Sequence, residues 1–322
     1  MSRQDKEIKQ SNKIVVIVGT TASGKTGLGV KLAYEFNGEI ISADSRQVYR
    51  GMNIGTGKDL AEYKIKLKTK VVNIPYHLID VVDPQKKFGL AQFQSLTYEA
   101  INNIQQKNKL PIVVGGTGLY VQAIVDGYEL PAVKPDEKLR RALEKMDIKK
   151  LYLKLVKLNP NFANRLTVSD KKNKRRLIRY IEIVSKKEKE EKNIFPSLNK
   201  EKKYRALLLG LTWPREILAE RIYKRLIQRL EKENMIGEVE HLHAQGVNWD
   251  RLIGFGLEYK YITLYLQEKL DYDQMVERLF GAIKKFAKRQ ITWLRRWERQ
   301  GVKIYWIKDE KEARQLVKKF LA

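Results

Sequence analysis

The chain has 322 residues, 43% of them hydrophobic, a size that suits one large domain or a core with a smaller companion, burying about three quarters of its unfolded surface. The absence of cysteine excludes disulfides and thiolate metal sites and fits a reducing, cytoplasmic setting. Lys and Arg number 64 against 38 Asp and Glu, a formal +26, so a polyanion is the natural partner unless the lysines simply solvate helix faces.

No run approaches the roughly 20 apolar residues that span a bilayer, and the polar start MSRQDKEIKQSNK lacks the apolar middle of a secretory signal. Five apolar residues, Ile14 to Val18, lead into Gly19-Thr20-Thr21-Ala22-Ser23-Gly24-Lys25-Thr26, which fits G-x-x-x-x-G-K-[ST]. Leu28, Leu32 and Phe36 then recur at helical spacing. Strand, glycine loop and helix are the context in which backbone N–H groups and a helix N-terminus hold phosphate. In that motif Lys25 reaches the terminal phosphates and Thr26 places its hydroxyl on magnesium, the one metal the sequence suggests.

Candidate strands follow at Glu39–Ala43, Leu78–Val82 and Leu110–Val114, with a helix from Ala91 to Gln106. That alternation predicts a parallel sheet with helices packed on it. The second strand runs into Ser42-Ala43-Asp44-Ser45-Arg46-Gln47-Val48-Tyr49. Ligands of open α/β sheets gather beyond the carboxyl ends of the strands. Asp44 therefore either aims a carboxylate at whatever meets the phosphates, as a proton acceptor, or caps a helix. Gly115-Gly116-Thr117-Gly118 is a second glycine turn at the same rim.

Residues 129–203 are largely helical and very basic, and read as a helical insertion domain. Their tail, Lys186 to Lys203, is a mixed charge run expected to form a mobile, solvated loop. Residues 13–128 and 204–322 then form a P-loop NTPase-like α/β core with C-terminal helices. Its second part holds a strand at Arg205–Leu211, a helix over Glu216–Glu233 with Pro214 at its start, and a long helix over Asp273–Arg299. In that helix Phe286, Trp293 and Trp297 share a face and are expected in the core rather than as a base-stacking platform. Lys285, Lys288, Arg289, Arg295, Arg296 and Arg299 are left for nucleic-acid phosphates or for solvent. His77, His241 and His243 are too few and ill-spaced for a metal site.

Taken in order, GTTASGKT, SADSRQVYRGMNIGTGK, PYHLIDVVDP, VVGGTGLY, RIYKR, RLIGFG and AKRQITWLRRW resemble the bacterial-type tRNA dimethylallyltransferases, also called tRNA isopentenyltransferases. The resemblance runs from about Ile14 to Trp297. It implies transfer of a dimethylallyl group from dimethylallyl diphosphate to N6 of the adenosine 3′ of the anticodon in tRNA, releasing diphosphate. The glycine loop would hold the isoprenoid diphosphate, with ATP-like binding non-productive. By the same resemblance Lys25, Thr26 and Arg225 serve the diphosphate and Asp44 takes the amine proton. Contacts to tRNA fall on Asp44, Ser45, Arg46, Gln47, Thr117 and Arg140. They continue on Lys172-Asn173-Lys174-Arg175-Arg176 and on Arg251-Leu252-Ile253-Gly254-Phe255-Gly256. Gln47 would pair with an adenine edge.

The sequence departs from the family pattern at Thr20, where most members have proline. It departs again at GTGKDL in place of GTAKP, and at GFGLEY in place of a GYR- or GYK-like run, which removes a basic residue at Gly256. No cysteine/histidine zinc finger follows Trp297. Expected partners are the anticodon stem-loop of tRNA and dimethylallyl diphosphate, with magnesium as cofactor, for a cytoplasmic, membrane-free monomer. The competing readings are a small-molecule kinase, an adenylate isopentenyltransferase and a non-catalytic RNA-binding protein. The basic insertion weighs against the first two, and Asp44 beside a phosphate loop against the third.

Overall fold

The computed structural model describes residues 12–131, 133–186, 197–198 and 203–322. They fall into two units, one within Met1–Val125 and Lys202–Ala322, the other within Asp126–Glu201. In the first, β1 (Lys13–Gly19) is buried at every position and passes through the glycine loop into α1 (Lys25–Glu35). Then come β2 (Gly38–Ser42), the small antiparallel pair β3 (Lys64–Lys66) and β4 (Val71–Asn73), and β5 (Tyr76–His77). The strand expected at Leu78–Val82 does not form. Leu78 and Asp80 take φ of 63° and 57°, a left-handed conformation that turns the chain off the sheet edge. Asp80 pairs instead with the buried ammonium of Lys58. The half closes with α2 (Leu90–Gln106), β6 (Leu110–Gly115) and α3 (Gly118–Val125).

The second unit opens with β7 (Tyr128–Glu129) and, among the described residues, carries five helices: α4 (Glu137–Glu144), α5 (Ile148–Leu158), α6 (Pro160–Asn164), α7 (Val168–Lys171) and α8 (Lys174–Lys186). Its last described element, β8 (Ser197–Leu198), pairs antiparallel with β7. The first four helices start at Asp136, Asp147, Asn159 and Thr167, each accepting a first-turn N–H through its side-chain oxygen, worth about 1 kcal/mol per cap. Leu143, Leu151, Leu155, Phe162, Leu177 and Ile181 meet in a core of the unit's own. The charged tail expected as a loop, Lys186 to Lys203, lies mostly outside the described residues.

Beyond it come β9 (Arg205–Leu211), α9 (Arg215–Glu231), α10 (Met235–Ala244), α11 (Trp249–Phe255), α12 (Leu257–Leu266), α13 (Tyr272–Arg299), β10 (Ile304–Trp306) and α14 (Glu310–Leu321). The sheet has the order β10-β9-β1-β6-β2-β5, and every pairing in it is parallel. Alternation along β1 divides its side chains between two faces. Ile14, Val16 and Val18 join a cluster with Phe93, Ile101, Ile124 and Trp297. Val15 and Ile17 join another with Leu28, Leu32, Ala313 and Val317. A third core joins Val48, Tyr49 and Met52 to apolar residues of α9 through α13. The result puts the carboxyl ends of β1, β2 and β6 side by side. Among the described residues no helix is long and apolar enough to cross a membrane.

Candidate active site

The phosphate-type loop is built from its backbone outward. Gly24 takes φ 93°, the left-handed conformation that glycine adopts without strain, and caps α1 with no side-chain hydrogen bond to the helix. The first-turn N–H groups of α1 therefore have no side-chain acceptor from the cap, and the helix dipole is positive there. The loop is held by side-chain hydrogen bonds. Trp213 Nε1 donates to Ser23 O at 3.2 Å and Arg221 Nε to Ala22 O at 2.8 Å. Lys25 Nζ donates to Thr20 O, and Arg225 donates to Thr21 Oγ1. With its carbonyls tied down, the loop leaves Thr21 to Thr26 lining an open cavity.

Asp44 follows β2 and lines the same cavity, half-buried. No α-helix begins there; residues 45–48 form a turn, and Asp44 Oδ1 accepts the N–H of Arg46 at 2.8 Å. The capping alternative thus becomes an aspartate turn, which fixes the carboxylate while leaving lone pairs for another proton. Thr117 ties this loop to the second glycine turn, because its Oγ1 accepts the Ser45 N–H at 3.2 Å. The close approach demands glycine at position 115, where a Cβ would lie 2.2 Å from Ala43 O.

The cavity has a volume of about 820 Å³, within the range of small-molecule sites. Its lining includes the cations Lys25, Arg221, Arg225 and Arg229, and Phe286, Trp293, Leu119 and Ile283 supply apolar surface. Burial and the neighbouring Arg225 push the Lys25 ammonium down to about 8, against a smaller upward pull from Asp44. Burial and Arg229 push Arg225 down to about 10, while Glu258, Asp59 and Glu62 pull it up. Burial raises the Glu258 carboxyl, with Arg229 and Arg225 opposing. Cations so depressed are short of anions, and a bound diphosphate would relieve them. Among the described residues no group of three or more His, Cys, Asp or Glu is placed to hold a metal. Thr26 lines the cavity beside Lys25, which fits an ion held jointly with ligand phosphate oxygens.

Of the other expected residues, Ser45, Arg46, Gln47, Thr117, Phe255 and Gly256 line this cavity, whereas Gly19 and Thr20 lie behind it. Gln47 is engaged at both ends: its Oε1 accepts from Ser42 Oγ at 2.7 Å and its Nε2 donates to Gly57 O at 2.9 Å. Arg251 donates to Pro84 O and Lys86 O and stacks on Phe255, and Leu252 is fully buried. Ile253 and Gly254 lie outside the cavity, though Gly254 O accepts from Arg46. In the other unit Arg140 grips the buried carboxylate of Glu182 with two nitrogens, at 2.9 and 2.8 Å. Arg176 pairs with Asp170, Lys174 donates to Glu144 O, and Asn173 accepts the Arg176 N–H. Lys172 and Arg175 are exposed.

The aromatic stripe of α13 is not uniformly core. Trp297 is buried, but Phe286 is 38% exposed and lines the cavity with Trp293. Gly118 packs against the Trp293 indole, where a Cβ would lie 2.4 Å from the ring, so this part of the stripe meets α3 and the cavity rather than the core. On the basic faces Arg289 also lines the cavity, and Arg295 pairs with Glu298 and stacks on Trp306. The histidines serve packing: His77 bonds Glu39, and His243 stacks on Trp249. Reading by residue type missed Gln290, whose amide meets Thr21 and Gly116. It also missed Glu238, whose carboxylate accepts the N–H groups of Asn53, Ile54 and Gly55 and the Tyr259 hydroxyl. Gln290 does lie inside the AKRQITWLRRW block; that motif was its only signal.

A parallel sheet whose carboxyl rim joins a glycine loop, a fixed carboxylate and paired arginines defines an α/β protein with a P-loop-like core. A family model described as IPP transferase matches residues 47–297, and one described as isopentenyl transferase matches residues 12–72. The chain belongs to the IPP transferase family. It is 44% identical over 301 residues to tRNA dimethylallyltransferase 1 of Syntrophus aciditrophicus, covering 93% of this chain and 95% of that relative. It is likewise 44% identical over 294 residues to tRNA dimethylallyltransferase 1 of Geotalea daltonii, covering 91% and 90%. Among solved structures, the full-length tRNA isopentenylpyrophosphate transferase of Bacillus halodurans superposes with a TM-score of 0.67 at 34% identity, over 96% of this chain and 97% of that one. A eukaryotic dimethylallyltransferase acting on tRNA superposes with a TM-score of 0.69 at 29% identity, over 88% and 70%.

Proposed function

We propose that this chain transfers the dimethylallyl group of dimethylallyl diphosphate to N6 of the adenosine 3′ of the anticodon in tRNA, releasing diphosphate. The observation that carries the reading is one cavity lined by Lys25, Arg225 and the fixed Asp44 carboxylate. As the N6–C1 bond forms and the C1–O bond breaks, the amine proton passes to Asp44, and Lys25, Arg225 and the α1 amides take up the charge growing on the leaving diphosphate. Thr26 and diphosphate oxygens would hold magnesium, which supplies further charge neutralisation. The adenine reaches such a pocket only out of its stack, and the formal +26 suits attraction of an RNA partner. Arg46 and Gly256 line the cavity and would meet the incoming base. Gln47 supports this part of the cavity, since its amide is already paired with Ser42 and Gly57. The protein is expected to act in the cytoplasm as a monomer.

The test is to incubate the protein with dimethylallyl diphosphate, magnesium and either unmodified tRNA or AMP, with a parallel ATP control, and to analyse adenosine by mass spectrometry. Prenylated tRNA adenosine is expected; prenylated AMP alone, or phosphate transfer from ATP, overturns the reading. In the same assay Asp44→Ala should lower turnover by about 10²–10⁴-fold while tRNA affinity changes little. Lost binding with intact chemistry would make Asp44 a structural residue.

A further inference from the structure

We propose that Gln290 is a positioning residue for prenyl transfer, a bridge that fixes the separation between the phosphate loop and the carboxylate loop; the proposal rests on the prenyl-transfer reading. Gln290 Oε1 accepts the Thr21 N–H at 2.8 Å, and its Nε2 donates to Gly116 O at 2.9 Å. One residue on, the Thr117 N–H donates to Ala43 O at 3.4 Å and Thr117 Oγ1 accepts the Ser45 N–H at 3.2 Å. Ala43 and Ser45 flank Asp44. A continuous line of hydrogen bonds and one peptide step therefore runs from the loop that faces the leaving group to the loop that carries the proton acceptor.

Three observations mark this as a built feature. Gln290 is only 8% exposed, so its bonds compete little with water and would be costly to leave unmade. A Cβ at Gly116 would lie 2.4 Å from Gln290 Nε2, so the small residue on one side matches the amide on the other. The carrier is α13, a 28-residue helix, and sites held on helices are set more firmly than sites held on loops. A side-chain amide offers an acceptor and a donor on two separate atoms, one for each loop. Each substrate can still bind its own loop without the bridge. What depends on the bridge is their mutual distance, and a 1 Å error in a reacting pair can cost about 100-fold in rate.

The test compares wild type, Gln290→Met, which keeps the bulk and loses both bonds, and Gln290→Glu, which keeps the acceptor for Thr21 only. In Gln290→Met kcat is expected to fall about 100-fold, with KM for dimethylallyl diphosphate and for tRNA each nearly unchanged, and Gln290→Glu to fall less. A near-wild-type kcat in folded Gln290→Met overturns the proposal, as does a loss that merely follows the folded fraction seen by thermal unfolding. Amide hydrogen exchange at Thr21 and Ser45, measured without substrate, is expected to quicken in Gln290→Met. If wild type transfers no prenyl group, the functional reading falls by itself; unchanged exchange at Thr21 then disposes of the bridge separately.

Discussion

Lys25 lies beside Arg225, and burial together with that neighbouring guanidinium weakens its hold on a proton. The sign of the consequence is fixed. In the ligand-free protein the Lys25 ammonium gives up its proton near pH 8, whereas a bound diphosphate favours the charged form. Affinity for dimethylallyl diphosphate should therefore fall as pH rises above about 8, by at most about tenfold per pH unit for one proton. Calorimetric titrations between about pH 7 and 9 measure it, and Lys25→Met should remove most of the pH dependence in that window, below the range near 10 where Arg225 gives up its proton. Thr20 raises a separate issue at the same loop. Its side chain is fully buried and its hydroxyl has no partner among the described residues, a condition that costs about 1–3 kcal/mol. Thr20→Val should accordingly raise stability by about 1 kcal/mol, read as a higher urea midpoint at unchanged slope.

Elements show where charge is structural and where it is available. Arg140 lies on α4 and Glu182 on α8, and the Glu182 carboxylate, with no exposed surface, also takes Arg179 and the Asp136 N–H. Removing Arg140 leaves that carboxylate short of a partner, and Arg140→Ala should cost about 2 kcal/mol in chemical unfolding rather than act as a lost RNA contact. The same comparison explains what the amino-acid order made legible. Strands β1, β2, β6 and β9 were readable within a residue or two because parallel strands buried on both faces are continuous apolar runs. The glycine loop was readable because its chemistry restricts its residues. β5 was not: it is two residues long, and the apolar stretch after it bends away at Leu78 and Asp80. Asp44, Lys25 and Arg225 could be named from local motifs, but the pairing of Gln47 with Gly57, of Arg251 with Pro84 and of Gln290 with Thr21 and Gly116 depends on partners 10 to 269 positions away. No local pattern carries that information.

For the whole molecule, +26 predicts that tRNA binding weakens steeply with salt, log K falling against log salt by roughly 0.7–0.9 per phosphate neutralised. The exposed Lys172 and Arg175 should contribute to that slope, so Arg175→Ala reduces it while Arg140→Ala does not. Filter binding from 50 to about 300 mM salt decides; a flat response would mean the charge has no RNA to meet. One topological fact reaches beyond the mature enzyme. β1 lies inside the sheet between β9 and β6, and its register with β9 begins at Lys13 and Arg205. On the ribosome the amino-terminal half must therefore emerge with one flank of its innermost strand bare until residue 205 has been synthesised. A bare apolar strand flank is a template for wrong pairing, so the slow step of making this protein, and its dependence on chaperones, should be set by the wait for that late neighbour.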